Sequence, residues 1–205
     1  MKSISDPLSR ARCHAIHLLR DRSGLAAVEF AFILPLMLVM FFGTVEFSSG
    51  IAIDRKVTLL ARALSDMTSQ NVSVSDLQLD SFFNAAVDIL EPYPAPLPNP
   101  YPSGQVSGTI TELYVDPSTL AARVQWSVGT APLAVHSTVT IPSALQVGGT
   151  YLIFSQASYL YVPTIGYVMA PAGVNLSDVA YTRPRQSLCV FYPPSTQTNP
   201  PCPTL

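Results

Sequence analysis

Gly24-Leu25-Ala26-Ala27-Val28-Glu29-Phe30 opens the apolar run on which the rest of the chain is arranged. Residues 25–45 are 21 positions of which Glu29 alone is charged. A hydrocarbon core of about 30 Å needs roughly twenty helical residues at about 1.5 Å each, so the run predicts a membrane-spanning helix and exceeds the apolar part of a signal peptide. Glu29 is the anomaly, because a carboxylate near the start of a membrane helix is costly and points to a function and a partner. Pro35 removes one backbone hydrogen bond inside the run and predicts a kink. Glu46, at the far end, is expected to reach the polar interface without needing a partner.

The charge pattern orients this helix. Lys2, Arg10, Arg12, Arg20 and Arg22 precede the run, against only Asp6 and Asp21. The positive-inside rule then keeps the N-terminus in the cytoplasm and puts everything after Phe47 outside. Beyond Gly24 there are six Lys plus Arg against eleven Asp plus Glu, which argues against a nucleic-acid partner. The cysteines divide the same way. Cys13 lies in the basic leader, whereas Cys189 and Cys202 lie on the outer side, where a disulfide can form and would stabilise the chain end by about 3 kcal/mol. Two free thiols or a metal site with His136 are weaker alternatives, and no metal or other cofactor is expected.

Past the membrane the helix is expected to continue to about residue 70. Ile53, Val57, Leu60, Leu64 and Met67 recur at spacings of four and three, while Asp54, Arg55, Lys56, Arg62 and Asp66 fall off that stripe. The stripe suits either the chain's own outer domain or a neighbouring subunit. A second helix begins at Ser75, a candidate N-cap with Asp76 in the first turn, runs through Leu79, Phe82, Phe83, Ala86, Val87 and Leu90, and stops at Pro92. Residues 92–102 place proline at every second position, an extended spacer rather than a packed element.

From residue 106 the period changes to two. Residues 109–115 and 122–128 alternate around Asp116-Pro117-Ser118-Thr119 and read as a hairpin, with Trp126 as a core residue. Residues 135–141, 151–162, 176–182 and 187–192 complete five or six short strands. Helices first and then consecutive strands imply an α+β fold, an antiparallel sheet with a helix on one face. The expected organisation is a cytoplasmic leader at 1–24, a transmembrane helix at 25–47, a helical extension and second helix at 48–91, a proline-rich linker at 92–102 and an antiparallel β domain at 103–205, closed by the Cys189–Cys202 loop.

No catalytic set emerges, so the chain is expected not to be an enzyme. There is no Gly-x-Ser-x-Gly, no phosphate-binding glycine loop, no His-Glu-x-x-His and no Cys-x-x-Cys. Cys13-His14 with His17 reads as a solvated basic face, His136 as structural, and Arg183-Pro184-Arg185 as a solvated edge.

Arg22-Ser23-Gly24, then Leu25-Ala26-Ala27-Val28-Glu29-Phe30-Ala31, Leu34-Pro35-Leu36 and Gly43-Thr44-Val45-Glu46-Phe47 together resemble the TadE-like proteins of the tight-adherence (Tad/Flp) type IV pilus system. The resemblance spans about residues 20–70 and implies a pilin-like architecture. It implies a single-pass protein of the bacterial inner membrane with a periplasmic C-terminal domain, cut between Gly24 and Leu25 by a prepilin peptidase. Glu29 then becomes the fifth residue of the processed chain, and the partners would be pilin or pseudopilin subunits and the Tad secretion machinery. The physics agrees: cleavage frees an amine on Leu25, largely protonated at neutral pH, which can pair with Glu29 of a neighbouring subunit and set axial register. The expected role is a minor pseudopilin, the alternative being an uncleaved, signal-anchored periplasmic binding or adhesion module.

Overall fold

The computed structural model describes residues 23–93, 105–163 and 173–192. The basic leader, most of the proline-rich linker and the segment carrying Cys202 lie outside the described residues, as do the expectations attached to them. The chain divides into two compact units, Met1–Val45 and Glu46–Leu205. Helix α1, Ser23–Ser69, is 47 residues long and runs through both. In the first unit every described side chain from Gly24 to Val45 is exposed, the arrangement expected of a helix whose apolar surface faces lipid.

The second unit is α+β, as expected. Its part of α1 buries Ile53, Val57, Leu60 and Leu64, with Met67 packed alongside, so the predicted stripe packs on its own domain. The polar side of α1 is also used: Lys56 Nζ donates to the carbonyls of Ile89 and Glu91 at 2.8 and 2.7 Å. Helix α2, Asp76–Val87, starts at a capping box in which Ser75 and Gln78 satisfy each other's backbone N–H. It buries Leu79, Phe83, Ala86 and Val87 and tightens into a 3₁₀ turn at Asp88–Leu90.

Five strands follow: β1 Val106–Val115, β2 Ala122–Gly129, β3 Thr138–Val139, β4 Tyr151–Tyr161 and β5 Val174–Thr182. They form one antiparallel sheet in the order β3-β2-β1-β4-β5. β1, at the centre, is buried on both faces. Val106 and Ile110 meet α1 and α2, whereas Leu113 and Val115 join a second core with Leu152, Phe154 and Ile141. β2 serves both cores with residues of one parity because its register slips. Glu112 pairs with Trp126 but Leu113 pairs with Val124, leaving Gln125 as the extra residue of a bulge that exchanges the faces. Trp126 and Val128 therefore reach the first core, and Ala122 and Val124 the second.

Two strand expectations need correction. Within residues 135–141 only Thr138–Val139 is strand, because His136 adopts φ 66° in a tight turn closed by Ser137 N–H to the Ala134 carbonyl. Residues 187–192 form no sheet strand. Their only ladder contact is an isolated parallel bridge between Phe191 and Ser73, with Val74 N–H donating to Phe191 O at 2.9 Å and Phe191 N–H to Val72 O at 3.0 Å.

The sheet also closes the C-terminal end of α1. Ser155 Oγ donates to Ala61 O at 2.5 Å, Thr182 Oγ1 to Ser65 O at 3.0 Å and Arg185 N–H to Ser69 O at 2.9 Å, the last satisfying a carbonyl that the helix leaves without a partner. Arg185, exposed as the solvated-edge reading expects, also pairs with Asp66 through its guanidinium.

Candidate functional site

The residues singled out in the sequence fall on the first two turns of α1 and just beyond. Gly24 is exposed, and nothing lies within 4 Å of the place a Cβ would occupy. It lies in the first turn of α1. Leu25 is 61% exposed and Glu29, one turn further on, is exposed as well. From Ser23 to Asp54 the chain has no Lys, Arg or His, so a cation for Glu29 must come from the leader or from another molecule. Pro35 lies inside the helix and leaves the carbonyl of Ala31 without its usual donor. The described residues contain one helix long and apolar enough to cross a membrane, and it is this one.

Glu46 departs from expectation. Tyr161 Oη donates to Glu46 Oε2 at 2.5 Å, tying the first turn of the second unit to the end of β4. Burial first, and then the hydrogen bond to that carboxylate, push the Tyr161 phenol up to about 12, so it stays a donor throughout the physiological range. Beside this pair runs a groove of about 460 Å³ walled by Phe47, Ile51, Val174 and Leu176 and edged by Glu46 and Asp54.

A second polar site, which the sequence did not reveal, lies in the sheet. Glu112 is wholly buried in β1. Its Oε1 accepts the Val190 N–H at 2.5 Å, and Trp126, opposite it on β2, donates Nε1–H to the Val190 carbonyl at 2.7 Å. Burial raises the Glu112 carboxyl to about 8, opposed by the Val190 N–H and the Trp126 indole. Glu112 Oε2 has no hydrogen-bond partner among the described residues, which suits the neutral acid better than a carboxylate. Cys189, next to Val190, is buried. Asp76 accepts from Tyr192 Oη at 2.5 Å at the other end of the same segment. Glu112 and its surroundings thus hold residues 187–192 in place; among the described residues no group of three or more His, Cys, Asp or Glu side chains is placed to hold a metal ion.

The family model described as TadE-like protein matches residues 24–64. Those residues form a TadE-like segment. It begins at the candidate processing glycine, includes Glu29 and Pro35, and ends at Leu64, the last fully buried apolar residue of the α1 stripe. The TadE-like segment therefore joins the membrane run to the surface on which the sheet packs. The sheet, with Glu112 and Cys189, lies outside it. No curated protein and no solved structure matches the chain.

Proposed function

We propose that the chain is a minor pseudopilin, a non-catalytic structural subunit of the Tad/Flp pilus or of its assembly machinery in the bacterial inner membrane. A prepilin-type peptidase cuts it between Gly24 and Leu25, and it assembles through α1 with the outer unit in the periplasm. The carrying observation is the TadE-like match that starts at Gly24, together with a glutamate five residues on in an otherwise uncharged helix exposed along its whole membrane run. Cleavage supplies what Glu29 lacks. The new amine of Leu25 in one subunit pairs with Glu29 of the next, and because either charge left alone in a low-dielectric bundle is costly, the pair fixes axial register. The basic leader supports the N-in orientation. On the outer side, Cys202 is the cysteine that shares a compartment with Cys189, and the reading pairs the two.

N-terminal sequencing of the protein recovered from cells with and without the processing peptidase tests the reading. The expected result is Leu25 as the first residue only when the peptidase is present. Recovery of Met1 from both strains would leave an uncleaved, signal-anchored module and sink the pseudopilin reading.

A further inference from the structure

Tyr161 ends β4 and pairs with Val174, which opens β5, so this end of the sheet is a narrow two-strand edge. It packs on the first turns of the outer unit: a Cβ on Gly50 would stand 3.7 Å from the Tyr161 ring. What remains open there is apolar. Phe47 is 71% exposed, Val174 47% and Ile51 40%, and they border the groove of about 460 Å³. A patch of this kind on a water-facing domain marks a surface that something covers.

Chain connectivity and charge restrict the occupant. Phe47 follows Val45 by two residues, so whatever the tilt of the helix it lies within about 7 Å of the end of the apolar run. The headgroup layer outside each face of the hydrocarbon is about 5–8 Å thick, so the groove opens where headgroups and the first chain carbons meet. Among the described residues its charged members are Glu46 and Asp54, with no Lys, Arg or His lining it. That excludes an anionic headgroup and suits an ammonium.

We propose that the groove binds a phospholipid with a primary ammonium headgroup from the leaflet that α1 leaves. The ammonium lies beside Glu46 and Asp54, and the glycerol and upper chains lie against Phe47, Ile51, Val174 and Leu176. Phosphatidylethanolamine is the lipid chemistry that fits. The site seats the end of the sheet on the membrane. It rests on the reading of residues 25–45 as a membrane span and is independent of cleavage and pilus assembly.

The test uses the full chain with Cys13→Ser, reconstituted in nanodiscs of phosphatidylethanolamine and phosphatidylglycerol. Spin labels are placed at Val174→Cys and, separately, at Val39→Cys inside the span. Both labels are expected to be relaxed more strongly by membrane-dissolved oxygen than by an aqueous nickel chelate. Native mass spectrometry is expected to retain phosphatidylethanolamine over phosphatidylglycerol by about threefold, the scale of a solvent-exposed ion pair. Asp54→Asn, which leaves the Tyr161 contact untouched, should reduce that preference, and the further change Glu46→Gln should abolish it. A water-exposed label at Val174 with Val39 in lipid overturns the proposal, as does equal or preferred retention of phosphatidylglycerol. Disulfide cross-linking of two copies through Val174→Cys without lipid retention would reassign the groove to self-association. A water-exposed Val39 would overturn the membrane span itself, and the lipid site with it.

Discussion

Glu112 and Trp126 stand directly opposite each other on β1 and β2 and grip one residue between them: the carboxyl accepts the N–H of Val190 and the indole donates to its carbonyl. Both backbone groups of a residue far along the chain are thereby satisfied by side chains of the sheet, and a segment outside the sheet is fastened to it.

Stability should fall as pH rises from about 5 to 8. Glu112 titrates near 4.5 when unfolded and near 8 when folded, so across that window the folded chain holds the extra proton. Its favourable contribution is complete below the unfolded value and is lost as pH rises through the folded one. Asp116 has the opposite sign: the Ser118 hydroxyl and N–H lower it, so its contribution is lost only under acid conditions and adds no slope in this window. Urea midpoints of wild type and Glu112→Gln at pH 5 and pH 8 check this, the variant being expected to lose most of the difference. An unchanged slope in Glu112→Gln would assign the pH dependence elsewhere.

Trp126→Phe keeps an aromatic ring near Tyr192, whose centroid is 5.4 Å away, but strands the Val190 carbonyl. A buried acceptor left without its donor costs about 1–3 kcal/mol, measurable as a lower urea midpoint with an unchanged slope. Hydrogen exchange should rise at Val190 and Phe191 before it rises in β1.

Two glycines with positive φ should respond differently to alanine. At Gly129, φ 141°, a Cβ would come within 2.2 Å of the Gly108 carbonyl oxygen, where only backbone can give way. At Gly149, φ 76°, a Cβ meets nothing within 4 Å. Gly129→Ala is expected to cost about 2–4 kcal/mol and Gly149→Ala about 1, compared by thermal unfolding. Equal losses would show that backbone conformation alone decides.

Gly24→Lys should block cleavage, whereas Glu29→Ala should be cleaved and yet assemble poorly. Leaving the Leu25 amine unpaired within a helical bundle costs about 3 kcal/mol or more, over a hundredfold in an assembly equilibrium. Immunoblots for processing and counts of surface pili separate the two effects. Wild-type piliation in Glu29→Ala would make the carboxylate dispensable.

The sequence was most legible where one residue type has one use. The 3.6-residue spacing of Ile53, Val57, Leu60 and Leu64 and the Ser75 N-cap both specify helix locally, and both are found. Legibility failed where the deciding partner is remote. Glu112 sits at an ordinary position of an alternating strand, and only Val190, 78 residues later, makes it a buried acceptor. Glu46 reads in the sequence as a carboxylate without a partner, and Tyr161, 115 residues away, supplies one. Residues 187–192 have strand composition, yet their backbone is used by Val72, Val74, Glu112 and Trp126 rather than by a neighbouring strand. The bulge at Gln125 likewise leaves no mark on the alternation of β2, since it changes the face and not the period.

On the proposed N-in orientation, the stripe on α1 also carries a consequence for the order of events during export. Ala61 receives its hydrogen bond from Ser155, 94 residues later, and the strands that cover Ile53, Val57 and Leu64 are made after it. In vectorial translocation the helix that leaves the membrane first is covered last, so its naked apolar face must be shielded by the bilayer or a holdase until β1 and β4 arrive.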